Sequence, residues 1–348
     1  MTHEATASPL GTIDKGPSMN SARTDTPAYA PGGTAWTRSA GRIALPLTAV
    51  GFGGSPLGGM PGGSGAEGSE DGPVDLVSSV LTSPIGVIDT SNGYGGGESE
   101  RRIGRALAAT GAHDTMVITK VDAEGGDYSG DRVRASVEES RRRLGIDHFP
   151  LVHLHDPEFH DFDELTGPGG AVEALVDLRD RGEIGAIGVA GGHAPTGARY
   201  VELGVFDAVL VHNRLTLVDR SAESLVQDAA SRGMVVFNAA IYGGGILAAP
   251  DRHSTYAYRE ASPEVLDAIA AMAAACERHG VDLATAALQA SLREPLVDCT
   301  LVGMSRPERI TSTLEAAARP VPDDLWEELE SLRPGPEHCV DAAERTGS

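Results

Sequence analysis

The chain has 348 residues, 41% of them hydrophobic, with 28 Lys+Arg against 50 Asp+Glu and a formal net charge of -22. That balance excludes a wholly disordered chain, and a field of that sign repels phosphate backbones and anionic bilayers, so neither nucleic acid nor a membrane is an expected partner. Cys276, Cys299 and Cys339 show no CxxC spacing. This rules out a disulfide framework or a cysteine-rich zinc module and fits a reducing, cytoplasmic setting. No secretory h-region opens the chain, and no apolar run reaches the roughly 18 residues a bilayer span needs.

Residues 1–39 are rich in Thr, Ser, Ala, Pro and Gly without a periodic apolar face, and are expected to be a mobile extension. Residues 335–348 form a C-terminal tail, leaving 40–334 as one domain. Short runs rich in Val, Ile and Leu predict strands at 48–53, 86–90, 116–121, 149–155, 184–190, 208–213, 234–240 and 299–303. A Gly-rich stretch at 58–73 reads as a loop. Helical patterns fall at 98–109, 131–144 (with Asp131 as N-cap), 171–181, 195–203, 222–232, 263–278 and 307–317. The stretch 243–295 is an insertion with a Gly-rich loop and two helical segments. Eight strands alternating with helices predict an α/β fold, a (β/α)8 TIM barrel. A doubly wound sheet would open on GxGxxG, and the GFGG at Gly51 lacks that spacing.

In such a barrel the C-terminal strand ends face the active site. Those ends carry Asp89 and Tyr94, then Lys120, then His153, His155 and Asp156, then His193, then His212 and Asn213, then Asn238 with Gly243, Gly244 and Gly245 beyond it. A free Tyr at pH 7 lies roughly 4 kcal/mol from its phenolate, and a neighbouring ammonium narrows that gap. Asp89 would hold Lys120 charged, Lys120 would tune Tyr94, and Tyr94 would exchange a proton with a carbonyl or hydroxyl oxygen oriented by His155. Hydride transfer at that carbon calls for a nicotinamide cofactor.

The segments IDTSNGYGGGESERRIGRAL from Ile88, ITK from Ile118, SRRRLGIDHFPLVHLHDPE from Ser140, GEIGAIGV from Gly182 and PERI from Pro307 resemble the aldo-keto reductase family. The resemblance implies a catalytic tetrad of Asp89, Tyr94, Lys120 and His155, and NAD(P)-dependent exchange between a small carbonyl and its alcohol. GFGGSPLGG from Gly51 and HDPE from His155 are similar to the branch of aldose 1-dehydrogenases and pyridoxal 4-dehydrogenases. Asp156 replaces a common Trp there, and a carboxylate suits a polyhydroxylated ligand. The family's carboxamide-holding Ser-Asn is Ala190-Gly191 here, and its Gln falls on His212 with Asn213 beside it. The stacking Tyr falls on Ala239, with Tyr242 nearby. Gly243, Gly244 and Gly245, with Ser305, Arg306 and Arg309, are the expected cofactor contacts. Ser312-Thr313 replaces a Glu-Asn pair, and Gly303 stands where a lysine is common, which leans the choice between NAD and NADP towards NAD.

His153, sharing a face with His155, reads as a packed core histidine, and Cys299 as a small strand hydrophobe. HxH with His193 and His212 also occurs in metal hydrolases, but there it belongs to the first strand, so no metal is expected. A natural-product tailoring reductase and a nucleotide-binding redox sensor remain alternatives. Oligomeric state is left open.

Overall fold

The structure is a computed structural model that describes residues 27–59, 71–112 and 114–345. An antiparallel hairpin, β1 (Thr37–Ala40) and β2 (Leu45–Thr48), precedes the repeating part of the chain. There follow β3 (Val50–Gly53), α1 (Asp71–Leu81), β4 (Val87–Asp89), α2 (Glu98–Thr110), β5 (Met116–Val121), α3 (Gly130–Leu144) and β6 (Val152–His155). Then come α4 (Phe162–Thr166), α5 (Ala171–Asp180), β7 (Ile187–Gly191), α6 (Ala194–Glu202), β8 (Ala208–His212), α7 (Glu223–Ser231) and β9 (Val235–Ala239). A short hairpin, β10 (Thr255–Tyr256) and β11 (Arg259–Glu260), leads into α8 (Pro263–Arg278), α9 (Leu283–Arg293) and β12 (Cys299–Gly303). The chain ends with α10 (Glu308–Ala318), α11 (Asp323–Ser331) and α12 (Val340–Arg345). Strands β3 to β9 and β12 close a parallel barrel in the order β12-β3-β4-β5-β6-β7-β8-β9. The predicted TIM barrel is the observed fold.

Alternation with a period of two decides what each strand sends inward. Val87, Ile118, Leu151, Ala186, Val235, Phe237, Cys299 and Leu301 form an apolar floor inside the barrel, which Ala40 and Leu47 of the hairpin join from below. Gly51 leaves the room that Leu301 fills: a Cβ there would sit 2.7 Å from the Leu301 Cδ2. Arg42 fastens the hairpin, donating to Asp207 Oδ1 at 3.0 Å and to the Phe206 carbonyl at 2.7 Å. The opposite strand faces pack outward on the helices through Val50, Phe52, Ile88, Val117, Val152, Ile187 and Val236.

Several expectations need correction. Residues 27–39, expected as part of a mobile extension, are packed on the domain: Trp36 is buried in the layer between strands and helices, and β1 pairs with β2. Residues 1–26 lie outside the described part. The N-cap of α3 is Ser129, which accepts from the Arg132 amide, while Asp131 sits in the exposed first turn. The loop expected through Pro73 gives way to α1 from Asp71 onward, and 60–70 lie outside the described residues. The early parts of the strands expected from 149 and 184 are reduced to one bridge between Phe149 and Ile184. The tail from 335 is docked: Asp341 is buried, accepting from Arg214 Nε at 3.0 Å and from the Ala194 amide at 2.9 Å.

Candidate active site

The loop after β4 is held from both sides before it presents any chemistry. Thr90 N–H donates to the Ile118 carbonyl at 2.9 Å and Asn92 N–H to the Lys120 carbonyl at 3.1 Å. The Asn92 amide donates to the Ser136 carbonyl and to Glu139, both at 3.1 Å. Beneath it the fully buried Glu100 accepts from Thr119 Oγ1 at 2.7 Å and from Arg143 at 3.1 Å, so the buried carboxylate is paired as its desolvation requires. Gly95 has φ 61°, and its Cα passes so close to Gly58 that any Cβ would strike that backbone at 2.2 Å. Gly95 therefore lets the loop lie flat against the loop after β3.

Lys120, 1% exposed at the inner end of β5, donates to Asp89 Oδ2 and to the Thr90 carbonyl, both at 2.7 Å. Its third hydrogen bond reaches Tyr94 Oη at 3.1 Å. All three ammonium donors are thus spent, two of them fixing the charge and one aimed at the phenol. Burial alone would discharge Lys120, but Asp89 and Tyr94 raise its pKa above the ordinary lysine value. Burial also raises the Asp89 carboxyl, with Lys120 pulling against it. For Tyr94 burial again dominates and pushes the phenol up, more than Lys120 draws it down. The expected sign of the Lys120 influence holds, but its net outcome is a protonated phenol.

His155 completes the group, its ring edge-on to Tyr94 with centroids 5.5 Å apart. Sequence reasoning missed what sits behind it. His155 Nδ1 lies 2.6 Å from Asp122 Oδ1, and Asp122 Oδ2 accepts from Gly93 N–H at 2.7 Å and from Ser91 Oγ. Asp122 lies two positions beyond Lys120 on the same edge of the barrel, a spacing that places it beside the ring. Burial disfavours charge on His155, yet Asp122 and Asp156 raise its pKa above the ordinary value. Asp156, in the left-handed region with φ 44°, sets Oδ2 3.7 Å from His155 Nε2 and Oδ1 3.6 Å from His212 Nε2. Burial works against its charge, but the two imidazoles draw the carboxyl down to about 2. Asp156, Glu158 and His212 each offer a ligand atom within 4.8 Å of the others. The Glu158 carboxyl is raised by burial and by Asp156, and accepts from the Gly192 amide at 2.5 Å. His153 is a packed core histidine as expected, edge-on to Phe237 at 5.7 Å and held neutral by burial. Cys299 is buried in the floor and its thiol is raised by burial.

The remaining expected residues divide. His212 faces Asp156, with Asn213 Nδ2 3.2 Å from its Nδ1 and the Tyr258 ring 6.5 Å away. Asn213 has φ 60°, and its fully buried Oδ1 has no hydrogen-bond partner. Gly243, Gly244 and Gly245 all have positive φ, but only Gly244 borders open space; a Cβ at Gly243 would strike the Tyr256 ring at 2.4 Å, and Gly245 faces His253. Two of the three glycines thus serve the packing of the insertion. Arg309 lines a cleft of ≈ 540 Å³ with Tyr242, Asp282, Thr285, Ser312 and Glu315. Ser305 and Arg306 lie in the turn between β12 and α10, outside that cleft's lining. Tyr258, 68% exposed at the tip of the β10–β11 turn with φ 67°, also escaped sequence reasoning.

The family model for the aldo/keto reductase family matches residues 49–334. The chain belongs to the aldo-keto reductase family. Like its family it is an oxidoreductase, and several of its relatives carry dehydrogenase names. It is 30% identical over 324 residues to a D-threo-aldose 1-dehydrogenase of Pseudomonas sp, covering 85% of this chain and 97% of that one. It is 32% identical over 302 residues to an L-galactose dehydrogenase of Arabidopsis thaliana, covering 85% and 89%. Among solved structures, an aldo-keto reductase of Bacillus halodurans in its holo form shares the fold with a TM-score of 0.69 and 21% identity, covering 86% of this chain and 96% of that one. Among the described residues no helix is long and apolar enough to cross a membrane.

Proposed function

We propose that this aldo-keto reductase moves hydride between a nicotinamide dinucleotide and the hemiacetal or carbonyl carbon of a small polyhydroxylated substrate, as an aldose 1-dehydrogenase does. The observation that carries the reading is the unbroken chain Asp89–Lys120–Tyr94, at 2.7 and 3.1 Å, ending in a phenol beside His155. A dinucleotide fits the donors present. The orphaned Asn213 Oδ1 needs an N–H such as a carboxamide supplies, and Gly244 leaves backbone open to a phosphate. Tyr242, Arg309, Ser312 and Thr313 line a cleft suited to an adenosine. His212 sits beside Asp156 on the substrate side, and Ser305 and Arg306 lie in the turn after β12, outside the lining of that cleft. Asp282 and Glu315 share the cleft with Arg309, and Gly303 supplies no lysine, so a 2′-phosphate would meet carboxylates. NAD is the preferred dinucleotide on this reading.

When bound, the nicotinamide gives or takes the hydride. The protein's own part is proton and charge. Tyr94 Oη donates to the carbonyl oxygen in reduction; oxidation requires the phenol first to release its own proton to solvent, after which the phenolate, stabilised by the Lys120 ammonium, receives the hydroxyl proton. His155 orients the same oxygen, and Asp156 accepts hydrogen bonds from further substrate hydroxyls. Aldoses, pyridoxal and simple aldehydes, assayed at the reduced-nicotinamide absorbance with both NAD and NADP, test the reading directly. Tyr94→Phe should lower turnover by about 10²- to 10⁴-fold and leave nucleotide affinity unchanged. Full activity in that variant would remove Tyr94 from the mechanism. Tight nucleotide binding without turnover on any substrate would point to a redox-sensing subunit.

A further inference from the structure

We propose that Asp122 is a positioning residue that fixes the His155 ring with a proton on Nδ1, leaving Nε2 as the one nitrogen that meets the substrate oxygen. The inference rests on the active-site reading above, and it assigns a role to a carboxylate for which the tetrad has no use.

The geometry leaves little choice of tautomer. An ionised carboxylate only accepts hydrogen bonds. Asp122 Oδ2 is already taken by the Gly93 amide and the Ser91 hydroxyl, so Oδ1, 2.6 Å from His155 Nδ1, receives the Nδ1 proton. The backbone that carries the ring is held by the Tyr128 hydroxyl, which accepts from the His155 amide at 2.9 Å and donates to the Val121 carbonyl at 2.6 Å. Nε2 is then turned to the barrel mouth, 3.7 Å from Asp156 Oδ2.

The groups around the ring set its charge. Asp122 at the end of β5 and Asp156 after β6 favour the imidazolium. Lys120 opposes it, but its ammonium is already neutralised by Asp89. Tyr94 faces the ring as a neutral phenol, His153 below it is neutral, and His212 reaches it only through Asp156. With Nδ1 protonated in both states, one proton converts Nε2 from acceptor to donor without any motion of the ring. The charged ring donates to a substrate oxygen and the neutral ring only accepts, so the charge on the pair decides how that oxygen is held.

The sign of the pH linkage follows. The raised imidazole contributes stability that is fully present below its ordinary 6.5 and is lost as pH rises through the folded-state value. Burial opposes the Asp122 charge, but His155, Ser91 and Gly93 hold the carboxyl below its ordinary 3.8; its contribution is present above that value and lost as pH falls through the folded-state one. The pair therefore stabilises the protein most between those two limits.

Nitrogen-15 NMR of histidine-labelled full-length protein tests the proposal without requiring turnover. The His155 signals, identified by their loss in His155→Gln, should show the Nδ1-protonated tautomer at high pH and a midpoint above that of free imidazole. Asp122→Asn should lower that midpoint by about one unit, tenfold in the protonation constant. The acid limb of the kcat profile should move the same way, with nucleotide affinity unchanged. Ser91→Ala removes both a donor to Asp122 and the hydroxyl 3.2 Å from His155 Nδ1 and should also move the midpoint, which keeps the test open if Asp122→Asn fails to fold. An Nε2-protonated tautomer in the wild-type protein, or a midpoint that neither variant moves, overturns the proposal. Absence of turnover with a confirmed tautomer would instead overturn the hydride-transfer reading and leave Asp122 in place.

Discussion

The two ends of the barrel are built from the same strands and obey opposite rules. At the floor, Val87, Ile118 and Leu151 meet Leu47 of the hairpin in an apolar layer that needs only shape and volume. Two residues further along β4 and β5, the same inward face carries Asp89 and Lys120, and two and four residues beyond Leu151 it carries His153 and His155. There each charge needs a partner of fixed geometry, because burial without one costs several kcal/mol. The difference teaches that the floor supplies stability while the mouth consumes it. On the proposed function, the charges at the mouth persist because they hold Tyr94 and His155 in place for proton transfer.

The sharpest way to break this comparison is to turn part of the mouth into floor. Lys120→Met should lower turnover by at least about 10²-fold, since Tyr94 loses its charged neighbour, and should destabilise the fold by about 3–5 kcal/mol by leaving Asp89 buried and unpaired. Adding Asp89→Leu should restore most of the stability and none of the activity; denaturant melts beside a turnover assay read both. The converse change acts at the floor. Leu47→Ala should cost about 2–5 kcal/mol in the same melts while kcat stays at the wild-type value, and a large loss of kcat would deny the separation of the two ends. The smallest effect is expected at the rim. Tyr258 overhangs His212 from a turn in which both Ala257 and Tyr258 have positive φ, a strained way to present an aromatic ring. Tyr258→Ala should raise KM for a sugar-like substrate roughly three- to tenfold with kcat little changed, the scale of one lost aromatic contact.

The barrel was readable because strands buried on both faces leave apolar runs at regular intervals, and the strand ends then announced Asp89, Tyr94, Lys120 and His155 in order. The hairpin was not readable: 27–48 are mixed in composition, and nothing local says that Ala40 and Leu47 have a barrel bottom to fill. The helix α1 was hidden by the Gly-rich stretch that leads into it. Asp122 was overlooked for a different reason. A single Asp after a strand is usually a turn residue, and only the approach of β6 to β5 sets it against His155. The three glycines after Tyr242 carry a packing role that was equally hidden, since two of them accommodate Tyr256 and His253 from the insertion.

Sequence alone determined the parallel barrel and which titratable side chains gather at its mouth, because both rest on local patterns: inward and outward alternation, and the residue types at the strand ends. Tertiary structure decided the plugged floor, the Asp122–His155–Asp156 line and the crossing of the β10–β11 turn over the mouth. Those depend on contacts between segments far apart in the chain, where distance and burial, not residue type, set whether a carboxylate is a turn residue or the group that holds a histidine's proton.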